Sequence, residues 1–390
     1  MHFMRRYPHS AIRPMLVNTP EALQDMLYRL TAASAIAVDT ESNSLYAYQE
    51  RVCLIQFSVP GEDYLVDPLA LDDLHVLGPI FAHPGIEKVF HAAEYDVMVL
   101  HRDYGFELDH LFDTMVASRI VGWPRYGLAS LLEEHFEVRT DKRMQRTNWG
   151  RRPLSEDQVE YARLDTHYLL PLRDKLIAEL GAQERMAEAR AAFGRVAEAR
   201  WSKQEFDPHG FWKVKGAHEL NDQQLAILRE LYLYRDGRAQ ELDRPPFKIL
   251  TDRVLVRLSQ EAPSSFAELG RIKGIPRRLP SRERRNLLQT IEDGLRAPIP
   301  VRPARRGERP DEEAMERYEA LRDWRREQAE ERGVEPDVVL SNRTLHALAN
   351  ENPTSSQALS DIDALNDWER DQYGRDLIGL LRRHARIRAR

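Results

Sequence analysis

From Leu231 onward the chain repeats itself at a fixed offset of 90 residues, with no gap needed to keep the copies in step. Leu231, Tyr234, Arg235, Ala239, Pro246, Leu250, Arg253, Leu255, Leu258, Pro263 and Leu269 recur as Leu321, Trp324, Arg325, Ala329, Pro336, Leu340, Arg343, Leu345, Leu348, Pro353 and Leu359. A unit of this length is too long for a solenoid repeat and predicts two small independent domains. No strand-like pattern appears after about Gly216, so both copies are expected to be helical. The segment from Arg296 to Pro310 holds four prolines and is expected to link them.

The first part of the chain follows a different rule. Between about residues 15 and 175, strand-like and helical patterns alternate, which predicts an α/β domain with helices packed on a sheet. Ala35 to Asp39, Val52 to Val59 and Asp63 to Asp67 read as strands, with Gly61 in the turn between the last two. Leu71 to Ala82 reads as a helix, Lys88 to His91 as a short buried strand, and Glu94 to Tyr104 as a helix stopped by Gly105. Ala182 to Trp201, rich in Ala, Glu and Arg, is expected to be helical.

At 390 residues, two or three domains are expected. With 42% hydrophobic and 31% charged residues and a mean hydropathy of −0.58, no stretch approaches the roughly 18 apolar residues of a membrane span. Met1 to Pro14 includes Arg5 and Arg6 but lacks the apolar core of a signal peptide. The single cysteine, Cys53, lies in the apolar run Val52-Cys53-Leu54-Ile55, which fits a reducing cytoplasm. The net charge of −6 conceals basic clusters in the C-terminal half. These are Arg271, Lys273, Arg277, Arg278, Arg282, Arg284 and Arg285; Arg302, Arg305, Arg306 and Arg309; and Arg382, Arg383, Arg386, Arg388 and Arg390. Such clusters suit phosphate binding.

Four acidic positions carry the chemistry. Asp39 and Glu41 are two apart on a strand, so their side chains leave the same face, with Val38 and Thr40 on the other. Asp96 is expected to begin a helix that carries Val97, Val99 and Leu100 into the core. Asp165 lies four residues after Tyr161, on one face of a helix. Clustered carboxylates cost free energy unless a cation sits among them. Brought together, these four could hold two Mg²⁺ or Mn²⁺ ions roughly 3.5–4 Å apart, an arrangement that cleaves phosphodiesters by in-line displacement. Tyr161, with an ordinary pKa near 10, is better suited to orienting the attacking water than to removing its proton.

At these residues the chain resembles ribonuclease D and its nuclear-exosome relatives among the DEDD exonucleases. Val38-Asp39-Thr40-Glu41 matches their first motif. His91-Ala92-Ala93-Glu94-Tyr95-Asp96, followed by Asp113-Thr114, matches the second, and Tyr161 through Leu170 the third. Tyr161 marks the tyrosine subclass. Asp141-Lys142, Arg146-Thr147-Asn148-Trp149 and Arg152-Pro153-Leu154 are also similar to the family. Phe211 through Gly216 and Arg244-Pro245-Pro246 resemble the HRDC domain, and the repeat implies a second copy.

The resemblance implies a multidomain architecture: an α/β ribonuclease-H-like exonuclease domain over 1–203, then two all-α HRDC domains over 204–298 and 306–390. It implies 3′→5′ removal of nucleotides from single-stranded RNA ends, tRNA precursors above all, releasing 5′-monophosphates. The catalytic set would be Asp39, Glu41, Asp96, Tyr161 and Asp165, the four acids holding the metals. His91, Lys142, Arg146, Arg271 and Lys273 are candidates for contacting RNA, while Trp149 is expected in the core. Nothing in the residues themselves reads a 2′-hydroxyl, so the choice of RNA over DNA comes from the resemblance. Ser42 stands where many relatives have an aromatic residue. Arg271 and Lys273 become Asp361 and Asp363 in the second copy, so the copies are expected to be unequal phosphate binders. No Gly-x-x-x-x-Gly-Lys-Ser/Thr loop is present, which excludes a helicase ATPase.

Overall fold

A computed structural model describes residues 13–202, 205–276, 278–302 and 311–387. Arg5, Arg6, Arg277, Arg305, Arg306, Arg309, Arg388 and Arg390 lie outside the described residues, as do the ends 203, 204 and 306 of the expected domains. The chain divides into two compact units. The first comprises the described residues of 1–42, 52–201 and 307–390; the second, those of 43–51 and 202–306.

The first unit is built on a mixed six-stranded sheet of order β1-β4-β3-β2-β5-β6. The strands are β1 (Met15–Val17), β2 (Ala35–Ser42), β3 (Val52–Val59), β4 (Glu62–Val66), β5 (Glu87–Phe90) and β6 (Leu111–Asp113). β2, β3 and β4 are antiparallel neighbours, while β1 joins β4, β5 joins β2 and β6 joins β5, all in parallel. β2 and β3 lie at the centre, and the continuous run Val52 to Phe57 is buried because both faces of the sheet are covered. Pro60 and Gly61 close the β3–β4 hairpin, and Gly61 takes the positive φ (87°) that a Pro-Gly turn asks of its second residue.

Eight helices cover this sheet: α1 (Pro20–Ala32), α2 (Gly78–Phe81), α3 (Glu94–Tyr104), α4 (Thr114–Ile120), α5 (Leu128–Phe136), α6 (Glu156–His167), α7 (Leu169–Ala182) and α8 (Met186–Ala197). The helix expected over Leu71 to Ala82 is reduced to a 3₁₀ turn, His75–Leu77, and the single turn of α2. Pro79 is the cause: a proline is accommodated in the first turn of a helix and breaks its interior. The helix expected from Ala182 to Trp201 is shortened to α8 by a reversal at Gln183 to Arg185, where Glu184 has φ 57°.

The first copy of the repeat forms a helical bundle in the second unit: α9 (Asp222–Glu241), α10 (Pro246–Ile249), α11 (Asp252–Glu261), α12 (Phe266–Leu269) and α13 (Ser281–Arg296). Leu225, Leu228, Leu231, Leu255, Leu258, Leu287 and Ile291 form its core. At Gly294 a Cβ would lie 2.6 Å from the Ile227 Cα, so glycine sets how closely α13 approaches α9. The segment 43–51 also packs here. Tyr48 donates its hydroxyl to Asp236 (2.8 Å) and its backbone N–H to Asp243 (3.0 Å), and accepts from Gln240 (3.0 Å). The Lys248 ammonium lies 3.5 Å from the centre of the Tyr46 ring.

The second copy repeats the plan as α14 (Glu312–Arg332), α15 (Pro336–Val339), α16 (Asn342–Glu351), α17 (Ser356–Ser360) and α18 (Asp367–Ile387). The repeated arginines share one task. Arg235 donates to the Leu250 carbonyl (3.2 Å) and Asp252 (2.7 Å); Arg325 donates to the Leu340 carbonyl (2.8 Å) and Asn342 (2.9 Å). This bundle belongs to the first unit. Arg332 pairs with Glu188 of α8 (2.5 Å), Arg119 with Asp337 (2.6 Å) and Arg195 with Glu369 (2.6 Å).

Candidate active site

β2 delivers Asp39 and Glu41 to one end of the sheet, and a register shift between Glu41 and Ser42 ends its regular pairing with β3. α6 starts on a capping box, in which Ser155 and Gln158 each bond the other's backbone N–H. Two turns on, this helix presents Tyr161 and Asp165. One carboxylate oxygen from each of Asp39, Glu41 and Asp165 falls within 4.8 Å of the others. Asp96, in the first turn of α3, approaches from β5 and accepts a hydrogen bond from the Thr40 hydroxyl. Tyr161 and Asp165, one turn apart on α6, lie close enough to shift each other's titration, and Gln145 also acts on the Tyr161 hydroxyl.

The electrostatics are those of a site that needs cations. Burial first, and then the charges of Asp96, Asp165 and Glu41, push the Asp39 carboxyl well above its ordinary range. Burial and the neighbouring acids do the same to Glu41, and burial and Asp96 to Asp165. Burial lifts Asp96 to about 7. Among the described residues no lysine or arginine forms an ion pair with any of the four. An all-oxygen donor set without a protein counter-ion fits a hard divalent cation, and fits it better than it fits the bare carboxylates. The Tyr161 hydroxyl is driven further above its ordinary value by burial and by Asp165, Glu41 and Asp39, so it stays protonated.

Three further residues support the acids, and what they do was not legible in the sequence pattern. Thr40 faces the acid on α3. Gln145 reaches Tyr161 from the loop before α6. Asp113, at the end of β6, accepts from the backbone N–H groups of Ala92 (3.0 Å), Ala93 (2.7 Å), Met115 (2.8 Å) and Val116 (3.2 Å). It thereby caps α4 and pins the turn that leads into α3, where Ala92 takes a positive φ of 61°. The Thr40–Asp96 bond and the bonds of Asp113 to Ala92 and Ala93 join residues far apart in the chain, which hides them from any local pattern.

The remaining candidates are dispersed. His91 stands just past β5, its Nδ1 2.9 Å from the Thr114 hydroxyl, and burial lowers its pKa to about 4, so the ring is neutral. Lys142 and Arg146 are exposed on the loop before α6. Arg271 and Lys273 are exposed in the second unit, flanking buried Ile272. Trp149 is buried, its ring centre 6.1 Å from that of Tyr161, and belongs to the core under that side chain. Arg152 fixes the same loop, reaching Asp67 (2.5 and 2.6 Å) and the carbonyls of Cys53 (2.7 Å) and Trp149 (2.8 Å).

Comparison with known proteins agrees with this geometry. Residues 14–181 match the model of a 3′-5′ exonuclease domain, and residues 224–291 and 314–381 each match the HRDC domain. The chain is 35% identical over 266 residues to the exosome complex exonuclease RRP6 of Saccharomyces cerevisiae, covering 64% of this chain and 36% of that protein. It is 34% identical over 252 residues to the exosome complex component 10 homolog of Caenorhabditis elegans, covering 64% and 29%. It thus spans about a third of the length of these curated relatives. The catalytic core of RRP6 from Trypanosoma brucei superposes with a TM-score of 0.67 at 28% identity, over 73% of this chain and 80% of that one. RNase D of Escherichia coli, an exoribonuclease involved in structured RNA processing, gives 0.63 at 27% identity over 95% and 99%. The chain thus combines a DEDD-type 3′-5′ exonuclease domain with two HRDC domains.

Proposed function

We propose that this chain is a metal-dependent 3′→5′ exoribonuclease of the ribonuclease D type. It would shorten single-stranded RNA 3′ ends, with tRNA precursors among its substrates, and release 5′-monophosphates. The observation that carries this reading is the convergence of one carboxylate oxygen from each of Asp39, Glu41 and Asp165 within 4.8 Å, with Tyr161 one helical turn before Asp165. Asp39, Glu41, Asp96 and Asp165 would hold two divalent ions, Mg²⁺ or Mn²⁺. When bound, such ions lower the pKa of the attacking water and neutralise charge on the leaving 3′-oxygen. The protein's own part is positional. Thr40 steers Asp96, and Asp113 fixes the turn that aims it. Tyr161, held protonated, orients the nucleophilic water by hydrogen bonding while the carboxylates fix the reacting atoms.

In this reading residues 1–203 form the catalytic domain, and residues 204–298 and 306–390 the two HRDC domains. His91, Lys142 and Arg146 lie beside the RNA path, and Arg271 and Lys273 hold phosphates. No helix among the described residues is long and apolar enough to cross a membrane. With its single cysteine buried, the chain suits a reducing cytoplasm.

The test is digestion of 5′-labelled single-stranded RNA, and of the matching DNA, with Mg²⁺ or Mn²⁺ and with EDTA. A ladder that shortens from the 3′ end of RNA, and vanishes with EDTA, is expected. Equal digestion of DNA would remove the RNA assignment, and cleavage that persists in EDTA would remove the metal-dependent one.

A further inference from the structure

The motif around Asp165 contains three residues that the proposed chemistry leaves idle: Arg163, Thr166 and His167. They share a target. Arg163 is almost wholly buried, and its guanidinium lies 3.5 Å from Asp63 on β4, itself 2% exposed. His167 places Nδ1 2.8 Å from the same carboxylate. The Ser58 hydroxyl on β3 donates to Asp63 (2.6 Å) and lies 2.7 Å from the Thr166 hydroxyl. Arg163 also reaches Glu160 (2.8 and 3.0 Å). One side of α6 is therefore tied to two strands by a buried ion pair and two short polar bonds, with Ser58 and Asp63 bonded to each other between the strands.

A buried ion pair is weak evidence for stability, because desolvation cancels most of the attraction; what it can provide is one defined arrangement in place of several similar ones. The apolar contacts of α6 do not supply that definition. Ala162 and Leu164 are its buried apolar residues besides Tyr161, too few to fix where the helix stands along its axis or how it is turned. Successive residues are turned by about 100° around a helix. A slip of one residue would carry Asp165 away from Asp39 and Glu41 altogether. Arg163, Thr166 and His167 occupy consecutive turns, so a common pair of partners fixes translation and rotation together.

We infer that Asp63, Arg163, Ser58, Thr166 and His167 form a buried register lock that sets the position of Asp165 and Tyr161 relative to the acids of β2. Its members are positioning residues, since none touches the reacting atoms. The inference rests on the metal-dependent reading of that acid cluster.

The experiment uses the full chain carrying Asp63→Asn, which keeps the shape of the side chain and removes its charge. Mn²⁺ binding is measured by calorimetry, alongside kcat and KM on RNA, well below the melting temperature, with native fold checked by circular dichroism. The lock predicts that Mn²⁺ binding weakens at least fivefold and that kcat falls at least tenfold, with KM changed less than twofold. Thr166→Val, a milder break, should move both quantities in the same direction by a smaller factor, and serves in place of Asp63→Asn if that variant does not fold. Asp63→Asn combined with Arg163→Met, which removes both charges, should recover much of the loss. A folded Asp63→Asn or Thr166→Val protein that melts lower yet binds Mn²⁺ and turns over like the parent would overturn the lock, leaving a merely structural cluster. If the parent chain binds Mn²⁺ but digests no RNA, the exoribonuclease reading fails, while the effect of the variants on Mn²⁺ binding still decides the lock.

Discussion

At the scale of single residues, the site separates groups that would hold metal from groups that would aim water. Asp39→Ala and Asp165→Ala remove metal ligands and should lower turnover by several orders of magnitude without unfolding the chain, since each relieves crowding among like charges. Retained digestion by either purified variant would refute the assignment. Tyr161→Phe is expected to keep Mn²⁺ binding near the parent value and to lose on the order of 10²-fold in kcat, the range of a positioned hydrogen-bonding group. A loss of Mn²⁺ binding instead would make Tyr161 part of the support for Asp165. The acids were legible in the sequence because strand period and helix spacing are local properties: Asp39 and Glu41 share a face two apart, Tyr161 and Asp165 four apart. The roles of Thr40, Gln145 and Asp113 were not, because what each does depends on a partner brought near by folding.

Between elements, the two bundles have diverged at the positions that bind them to other parts of the protein. Arg332, Glu335, Asp337 and Glu369 of the second copy form ion pairs within the first unit. Their counterparts 90 residues earlier are Leu242, Pro245, Phe247 and Leu279. Glu188 is the most buried acid of these pairs, with its side chain 6% exposed. Glu188→Ala strands Arg332 and should cost about 2–4 kcal/mol, somewhat under the value for a fully buried pair because Arg332 keeps partial access to water. Chemical denaturation would measure it, and a change below about 0.5 kcal/mol, the range of an ordinary surface substitution, would count against a fixed seat for this bundle. The helical repeat was plain in the sequence because its ten identities and one aromatic exchange fall at a constant spacing. β1 and β6 were not, since three residues are too few for any period to declare itself. The helix expected over Leu71 to Ala82 is cut to short turns because Pro79 fits only the first turn of a helix.

Across the whole molecule, charge sets the pH dependence of stability and, under the proposed function, the affinity for RNA. Folding raises the pKa values of Asp39, Glu41, Asp96 and Asp165, so the folded chain retains protons that the unfolded chain releases. Their contribution without metal is therefore most favourable below the ordinary carboxylate range and is lost as pH rises toward and through about 7, the value for Asp96. Thermal melts in EDTA should show the parent losing stability from pH 5 to 7.5 relative to an Asp39→Asn, Asp165→Asn double variant. Added Mn²⁺ should reverse the trend, since it binds the deprotonated cluster of the folded state. A parent and variant with parallel pH dependence would contradict this. For RNA, Arg271→Ala with Lys273→Ala should lower affinity and reduce the log–log salt slope by about 1.4, the share of two phosphate contacts on a single strand. An unchanged slope would show that this loop does not meet the backbone.

The nine residues 43–51 leave the end of β2, pack with the first bundle, and return as β3. The first bundle therefore draws part of its packing from chain that precedes it by some 150 residues or more. A recombination event near residue 203 would separate Tyr48 from Asp236, Gln240 and Asp243, handing the recipient a loop without its seat and the donor bundle a seat without its loop. Exchange of this bundle between relatives should succeed where loop and helix travel together, so descent is expected to couple these positions across almost two hundred residues of intervening chain.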